Sequence, residues 1–138
     1  MKPKVGMSTF MHQDNYYFKG DSSKIVSCAI YLEDTSKENG CLRLVENSHK
    51  NGILEHDVVS EVDPWIRWIS ESNLESFNII DLERPAPYAT FFDINLVHGC
   101  YPNISDRTRF SLAWEYIPTS VDGPFVTDEP WCDRNTVG

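Results

Sequence analysis

The chain has 138 residues, a size suited to one domain built around a single hydrophobic core. Its hydrophobic content of 41% predicts a folded protein, and its net charge of −9 argues against a partner with a phosphate backbone. We therefore expect one domain over residues 1–138 and no nucleic-acid partner. No apolar run is long enough to span a membrane or to resemble a secretory signal, which favours a cytoplasmic protein without a membrane partner.

The first informative element is His12-Gln13-Asp14, which we expect to lie in a strand. Alternate residues of a strand share a face, so His12 and Asp14 would point the same way and Gln13 the opposite way. Tyr16 and Phe18 would continue the inward face, which makes them weak candidates for substrate contact or, equally, ordinary core or surface aromatics. A His-x-Asp pair alone is a weak signal, because such tripeptides often arise by chance on solvated strands and turns.

Most of the remaining chain has the pattern of short strands separated by turns. Its β-branched and apolar content predicts strands at 24–32 and 41–45, the second followed by a turn at 47–52. Further strands are predicted at 77–82, 88–93, 95–98 and 108–117. A set of six or seven short strands is typical of an all-β barrel or sandwich.

One helix is predicted near 63–71, inside this β pattern. Asp63-Pro64 has the character of an N-cap followed by proline at the first helical position. Trp65, Trp68 and Ile69 then share one face at three- and four-residue spacing. Such a stripe is typical of a packed helix face, although a lid over the mouth of an active site would have the same pattern.

The four cysteines are Cys28, Cys41, Cys100 and Cys132, and they contain no Cys-x-x-Cys pair. Without that spacing, and without a secretory signal, the sequence favours neither a zinc site nor a disulfide framework. We expect free thiols in a reducing compartment.

His98 ends one predicted strand and is followed by a turn that leads to Arg107 and Arg109. Together with His12 and Asp14, it would complete the 2-His-1-carboxylate triad that binds iron(II) and leaves coordination positions open. The turn can bring an arginine back beside the metal, where its guanidinium would bind the distal carboxylate of an oxo-acid cosubstrate. The alternative is that His98 is a hydrogen-bonded core histidine and that the arginines form surface ion pairs.

These motifs together resemble the phytanoyl-CoA dioxygenase family of iron(II)/2-oxoglutarate oxygenases. The matching stretches are Met11–Asn15, Glu38–Leu42 with Ser48–Lys50, and Val97–Gly99 continuing to Asn103, Ser105 and Arg109. They occur in family order over nearly the whole chain, a combination much more specific than any single motif. The resemblance implies an all-β domain with the double-stranded β-helix fold, a jelly-roll or cupin-like barrel.

The resemblance also implies the roles of the site residues. His12, Asp14 and His98 would be the catalytic metal ligands that hold Fe(II), and Arg109, eleven residues after the distal histidine, would pair with the cosubstrate 2-oxoglutarate. The implied reaction uses dioxygen to hydroxylate a small organic substrate, with release of succinate and CO2. Asp14 favours hydroxylation, because related halogenases carry a small residue there that lets chloride bind. Cys100 stands where the family often has a serine that holds the cosubstrate carboxylate, and a thiol is the weaker hydrogen-bonding group.

The last predicted strand, at 108–117, should have two different faces. Arg109, Ser111 and Ala113 would face the barrel interior, whereas the outward residues would be Phe110, Leu112, Trp114 and Tyr116. In the resembling fold, helices that precede the His-x-Asp motif cover that outward face. This chain has only eleven residues before His12, so we expect it to lack those helices and the first barrel strand. An uncovered apolar face and a bare strand edge predict self-association or a complementing chain.

The short N-terminal part leaves alternatives open. The chain could be a fragment, could have a misplaced start, or could be a catalytically inactive or truncated relative that keeps the barrel as a binding or assembly module. A cupin-like metal module fits less well, because cupins use a differently arranged, histidine-rich ligand set. The sequence does not identify the substrate, which could be an acyl-CoA thioester, an amino acid, a phosphonate or a secondary metabolite.

Overall fold

The computed structural model of the chain describes residues 8–18, 23–58 and 67–118. The strands within these ranges are β1 Thr9–His12, β2 Val26–Tyr31, β3 Leu42–Val45, β4 Asp57–Val58, β5 Arg67–Trp68, β6 Ile79–Asp81, β7 Tyr88–Asp93, β8 His98–Cys100 and β9 Ser111–Tyr116. The helical elements described are three short 3-10 helices at Asp14–Tyr17, Ser48–Asn51 and Glu71–Leu74. The prediction of an all-β fold is confirmed.

The strands form antiparallel sheets, of which the two larger enclose a cavity. The first sheet has the order β1-β8-β3-β6 and the second has the order β7-β2-β9, while β4 and β5 pair separately. Side chains from the first two sheets line a cavity of about 280 Å³ between them. Two antiparallel sheets packed face to face are the arrangement expected of a jelly roll.

Most of the strands predicted from β-branched and apolar residues are present in the structure. Strands β2, β3, β6, β7 and β9 fall within the ranges expected from the sequence. The strand predicted at 95–98 is displaced, because His98 begins β8 instead of ending a strand. A tight turn occupies the preceding residues, in which the N–H groups of Asn95 and Leu96 donate to the side chain and the carbonyl of Asp93, both at 2.8 Å.

The helix predicted near 63–71 is wrong for the part of it that the structure describes. Residues Arg67–Trp68 form β5, which pairs with Asp57–Val58, and only a 3-10 turn starting at Glu71 follows. Trp65 and the proposed N-cap lie outside the described residues.

The physical reason is that the backbone of this segment finds its partner on β1. The N–H of Ile69 donates to the carbonyl of Met11 at 2.7 Å, a contact across 58 positions that helical spacing does not reveal. Trp68 packs against Phe10 in a tilted arrangement with ring centroids 4.5 Å apart, whereas Ile69 is buried in the core cluster that includes Met11. The two side chains therefore diverge as in an extended chain, and Trp68 does not line the cavity between the sheets.

The face of the second sheet that points away from the cavity is apolar and exposed. Pairing in register brings Val26 opposite Tyr116, and Leu112 opposite Ile30. Phe91 is 62% exposed, Leu112 54% and Tyr116 51%. These residues, together with Val26, are called the outer apolar face below. The exposure predicted for this side of β9 is confirmed at Leu112 and Tyr116.

Three cysteines fall in the described ranges, and Cys28, Cys41 and Cys100 are all free there, while Cys132 lies outside them. None of the helices that the structure describes has the length and apolar character needed to cross a bilayer. A cytoplasmic location stays a prediction.

Candidate metal centre

The three predicted metal ligands converge at one end of the cavity. His12 ends β1 and pairs directly with His98, the first residue of β8, and Asp14 follows His12 after one intervening residue. One donor atom from each residue lies within 4.8 Å of the others. Asp14 Oδ1 is 3.3 Å from Nε2 of His12 and 3.6 Å from Nε2 of His98. Because metal–ligand bonds to nitrogen and oxygen are about 2 Å long, one ion could contact this set.

Both imidazoles are oriented by main-chain carbonyls. Nδ1–H of His12 donates to the carbonyl of Phe10 at 2.7 Å, and Nδ1–H of His98 donates to the carbonyl of Leu96 at 3.0 Å. A neutral ring that donates through Nδ1 keeps its lone pair on Nε2, and both Nε2 atoms lie beside Asp14. Metal-binding histidines in proteins commonly have this second hydrogen bond, which fixes the tautomer and the ring plane.

The residue between the first two ligands, Gln13, is fully buried and anchors the segment. Its side-chain amide donates to the carbonyls of Gly52 and Asn95, and its Oε1 accepts from the N–H of Leu54 at 2.7 Å. Its own N–H donates to Nε2 of His56 at 3.1 Å. The strand period predicted that Gln13 points away from His12 and Asp14, but it did not predict these hydrogen bonds. The bonds hold the backbone so that both flanking side chains point into the cavity.

The extended conformation does not continue beyond the ligand pair. The strand ends at His12, and the 3-10 helix Asp14–Tyr17 changes the side-chain period from two residues to about three. The predicted inward face therefore does not reach Tyr16 and Phe18, and that expectation is wrong. Tyr16 packs against His56 in a tilted arrangement with ring centroids 4.7 Å apart, while Phe18 packs against a separate apolar cluster. Neither lines the cavity.

The pKa shifts of two of the three ligands, Asp14 and His98, suit metal binding. Burial alone would raise the pKa of Asp14, but the hydrogen bond with His12 and the charges of both histidines lower it overall. Burial would lower the pKa of His12, yet hydrogen bonding and the charge of Asp14 raise it overall, whereas burial prevails at His98 and lowers its pKa. The Ser27 hydroxyl donates to Asp14 Oδ2 at 2.8 Å. These effects favour an ionised carboxylate and a neutral distal imidazole, the forms in which both groups bind metals.

Arg109 lies at another part of the cavity wall, where neighbours fix its guanidinium. Its Nε donates to the carbonyl of Asn39 at 3.2 Å, and Nη1 donates to the hydroxyl of Ser111 at 2.9 Å. The guanidinium carbon is 5.5 Å from the centroid of the Tyr31 ring, and burial raises the pKa of that phenol to about 12, so it stays neutral. A guanidinium has further N–H groups and can bind a carboxylate bidentately. Arg107, by contrast, is exposed.

Gly40 makes room for this guanidinium. Its φ is +89°, a conformation that side chains disfavour, and an added Cβ would lie 2.8 Å from the carbonyl oxygen of Tyr101. The same Cβ would lie 3.5 Å from Nη2 of Arg109. The Glu38–Leu42 motif therefore brings the carbonyl of Asn39 against the guanidinium without filling the space beside it.

The remaining inward positions follow the alternation of β9. Arg109, Ser111 and Ala113 line the cavity as predicted, and Glu115 extends the same face by one more position. Burial and the negative charge of Asp14 raise the pKa of Glu115. Glu115 was not among the predicted site residues, although the two-residue period of the strand continues from Ala113 to it.

Comparison with known proteins identifies relatives over most of the chain. A family model described as phytanoyl-CoA dioxygenase (PhyH) matches residues 1–111. Phytanoyl-CoA dioxygenase 1 of Oryza sativa subsp. japonica is 28% identical over 134 residues, which cover 96% of this chain and 46% of that protein. A probable alpha-ketoglutarate-dependent hypophosphite dioxygenase of Stutzerimonas stutzeri is 30% identical over 116 residues, 80% of this chain and 40% of that protein. The chain spans about half the length of the curated relatives it matches.

Solved structures share the fold. The epimerase SnoN in complex with Fe3+, alpha ketoglutarate and nogalamycin RO superposes with a TM-score of 0.72 at 21% identity, over 100% of this chain and 55% of that one. The non-heme alpha ketoglutarate dependent carbocyclase SnoK from nogalamycin biosynthesis gives a TM-score of 0.68 at 21% identity, over 85% and 46% of the two chains. The predicted double-stranded β-helix is thereby confirmed.

Proposed function

Because this chain belongs to the phytanoyl-CoA dioxygenase family, we propose that it is an iron(II)- and 2-oxoglutarate-dependent dioxygenase that hydroxylates a small organic substrate. The observation that carries the proposal is the convergence of His12, Asp14 and His98 in the same cavity that Arg109 lines. Two imidazoles and one carboxylate are the donor set that iron(II) oxygenases use, and they leave positions open for a bidentate cosubstrate and dioxygen.

Each residue has a distinct role in this proposal. His12, Asp14 and His98 hold iron(II), which, when bound with 2-oxoglutarate, supplies the oxidation of the substrate by dioxygen with release of succinate and CO2. Arg109 binds the far carboxylate of the cosubstrate and so orients it along the cavity. Ser27 keeps Asp14 in place through its 2.8 Å hydrogen bond. Phe92, whose ring centroid is 4.7 Å from that of His98, packs beside the site and limits the access of water.

The direct test is anaerobic addition of iron(II) and 2-oxoglutarate to the folded protein. We expect a weak visible charge-transfer band that requires both additions, followed by iron-dependent succinate formation once oxygen is admitted. Zinc(II) in place of iron(II) serves as the control and should give neither signal. If folded protein shows no band, the alternative of a catalytically inactive binding or assembly module replaces this proposal.

Cys100 gives a prediction about cosubstrate affinity. It lines the cavity, and its sulfur accepts a hydrogen bond from the N–H of Thr9 at 3.2 Å. A serine hydroxyl is the stronger hydrogen-bonding group, so Cys100→Ser should leave the apparent affinity for 2-oxoglutarate unchanged or improve it. Titration of the visible band with 2-oxoglutarate measures this. Cys41→Ser, at a buried position outside the cavity lining, is the matched control, and a large loss of affinity in Cys100→Ser alone would refute the role given to Cys100.

We propose that the outer apolar face mediates self-association or binding of a complementing chain. Exposed patches of this kind are usually covered by a partner, so sedimentation velocity at micromolar concentration should give a species larger than the monomer. Leu112→Lys should shift the distribution towards the monomer, because it places a charge on this face. Ile104→Lys changes a residue that is 66% exposed elsewhere and should have no effect. A monodisperse wild-type monomer would contradict the prediction.

A further inference from the structure

Glu115 places a carboxylate on the cavity wall close to the candidate metal centre. It lies directly opposite Ser27 in the register of β2 and β9, and Ser27 donates to Asp14. Directly opposite residues of an antiparallel pair share a face and have Cβ atoms about 5 Å apart. Glu115 is therefore separated from Asp14 by little more than one side chain.

An aromatic ring lies on the other side of Ser27. Phe92 of β7 is opposite Ser27 in register, so Phe92, Ser27 and Glu115 form one row across the second sheet. The cavity is lined by all three, and the Phe92 ring packs against His98. A carboxylate and an aromatic face on the same wall are the two groups that proteins use to bind organic cations.

The cavity is electrically asymmetric along the strands of the second sheet. Ser111, which accepts a hydrogen bond from Arg109, and Glu115 are four residues apart on β9, or roughly 13 Å along the strand. Ala29 and Ala113 pair between those positions and leave space in the middle of the wall. The end of the cavity at Arg109 is cationic and suits an acidic cosubstrate. A substrate bound near the metal would lie beside the carboxylate of Glu115.

The carboxylate of Glu115 lacks a compensating charge in the part of the chain that the structure describes. No ion pair with a lysine, arginine or histidine of residues 8–18, 23–58 or 67–118 is formed by Glu115. Part of the Glu115 side chain is buried against the cavity wall, but the residue keeps enough exposed surface for a ligand to reach it from solvent. With Asp14 bound to a metal ion, the carboxylate of Glu115 would still attract a cationic group at this part of the wall.

We propose that Glu115 and Phe92 bind a cationic group of the substrate, an alkylammonium, and hold it beside the metal site. This inference rests on the proposed function, because it assumes that the protein oxidises a substrate. It adds the chemical class of that substrate. It disfavours the anionic classes that the sequence left open, acyl-CoA thioesters and phosphonates, because the carboxylate of Glu115 would repel them.

The test measures binding separately from turnover. Wild-type protein loaded with zinc(II) and 2-oxoglutarate is titrated in a calorimeter with matched probes: choline against its neutral isostere 3,3-dimethylbutan-1-ol, and butylammonium against butan-1-ol and butyrate. Attraction to the Glu115 carboxylate and to the Phe92 ring is expected to make each cation bind about tenfold more tightly than its neutral partner. Glu115→Gln keeps the shape of the side chain and should reduce that preference to twofold or less. Glu75→Gln, at an exposed carboxylate away from the cavity, should retain it.

Equal binding of cationic and neutral probes by the wild type, including no binding of either, would overturn the inference. So would a cation preference that survives in Glu115→Gln. The iron(II) and 2-oxoglutarate band distinguishes this failure from failure of the proposed function. If the charge-transfer band is normal but cations are not preferred over neutral probes, only the role of Glu115 is wrong. If the band is missing but the preference for cations depends on Glu115, the proposed oxygenase function is wrong and the cavity still binds cations.

Discussion

Replacing Asp14 with alanine is expected to abolish iron-dependent succinate formation, by at least about 100-fold relative to the wild type. The carboxylate is the only acidic member of the candidate ligand set and lies 3.3 and 3.6 Å from the two histidine nitrogens. Without it, two neutral imidazoles remain, and the site loses the negative charge that stabilises a divalent ion. The measurements are iron content after anaerobic loading and succinate released per enzyme once oxygen is added.

Loss of the Asp14 carboxylate also removes the acceptor of the Ser27 hydrogen bond, so folding has to be checked in parallel. The cost of that lost bond is about 1–3 kcal/mol, which a thermal melt resolves. Asp57→Ala, at an exposed position of β4, is the matched control and should bind iron as the wild type does. Retained turnover in folded Asp14→Ala would remove the role that we give to this residue.

Replacing Arg109 with glutamine is expected to weaken the apparent affinity for 2-oxoglutarate by about 100-fold, while iron binding persists. The guanidinium would make a charge-assisted, bidentate contact with the cosubstrate carboxylate, and loss of such a contact costs about 2–3 kcal/mol. Arg109→Lys should recover only part of the affinity, because an ammonium acts as a point charge and cannot bind with two parallel bonds. Titration of the visible band with 2-oxoglutarate measures the affinity of the wild type, Arg109→Gln and Arg109→Lys.

Arg107 provides the matched control for this experiment. It carries the same charge two residues earlier, but it is exposed, whereas Arg109 lines the cavity. Arg107→Gln should therefore leave the cosubstrate titration unchanged. If Arg107→Gln lowers the affinity as strongly as Arg109→Gln does, the general positive charge of this segment would be responsible, and the specific contact assigned to Arg109 would be wrong.

Local sequence patterns were sufficient for most of the strands and for the identity of the candidate ligands. Strands such as β2 and β7 lie within the predicted ranges because their β-branched and aromatic residues favour extended backbone. The inward face of β9 was predicted correctly because the two-residue period follows from strand geometry alone. His12, Asp14 and His98 could be named from spacing and family resemblance, since chemistry restricts which residue types hold iron.

Features that depend on distant backbone partners were not accessible in this way. The helix prediction near 63–71 failed because Ile69 bonds to Met11 of β1, and a helical stripe of aromatics carries no information about that partner. The prediction for Tyr16 and Phe18 failed because the backbone enters a 3-10 turn directly after the ligand pair. Tertiary contacts outweigh local propensity at both places.

The sequence by itself determined the family, most of the strands and the residue types available for chemistry. Only the tertiary structure decided how these residues meet: that Gln13 is locked by four partners, that Gly40 leaves room beside Arg109, and that Glu115 faces Asp14 across Ser27. The physical reason is that alternation and propensity act between near neighbours in the chain. The depth of a side chain, its counter-charges and its hydrogen-bond partners are instead set by segments that lie tens of residues away.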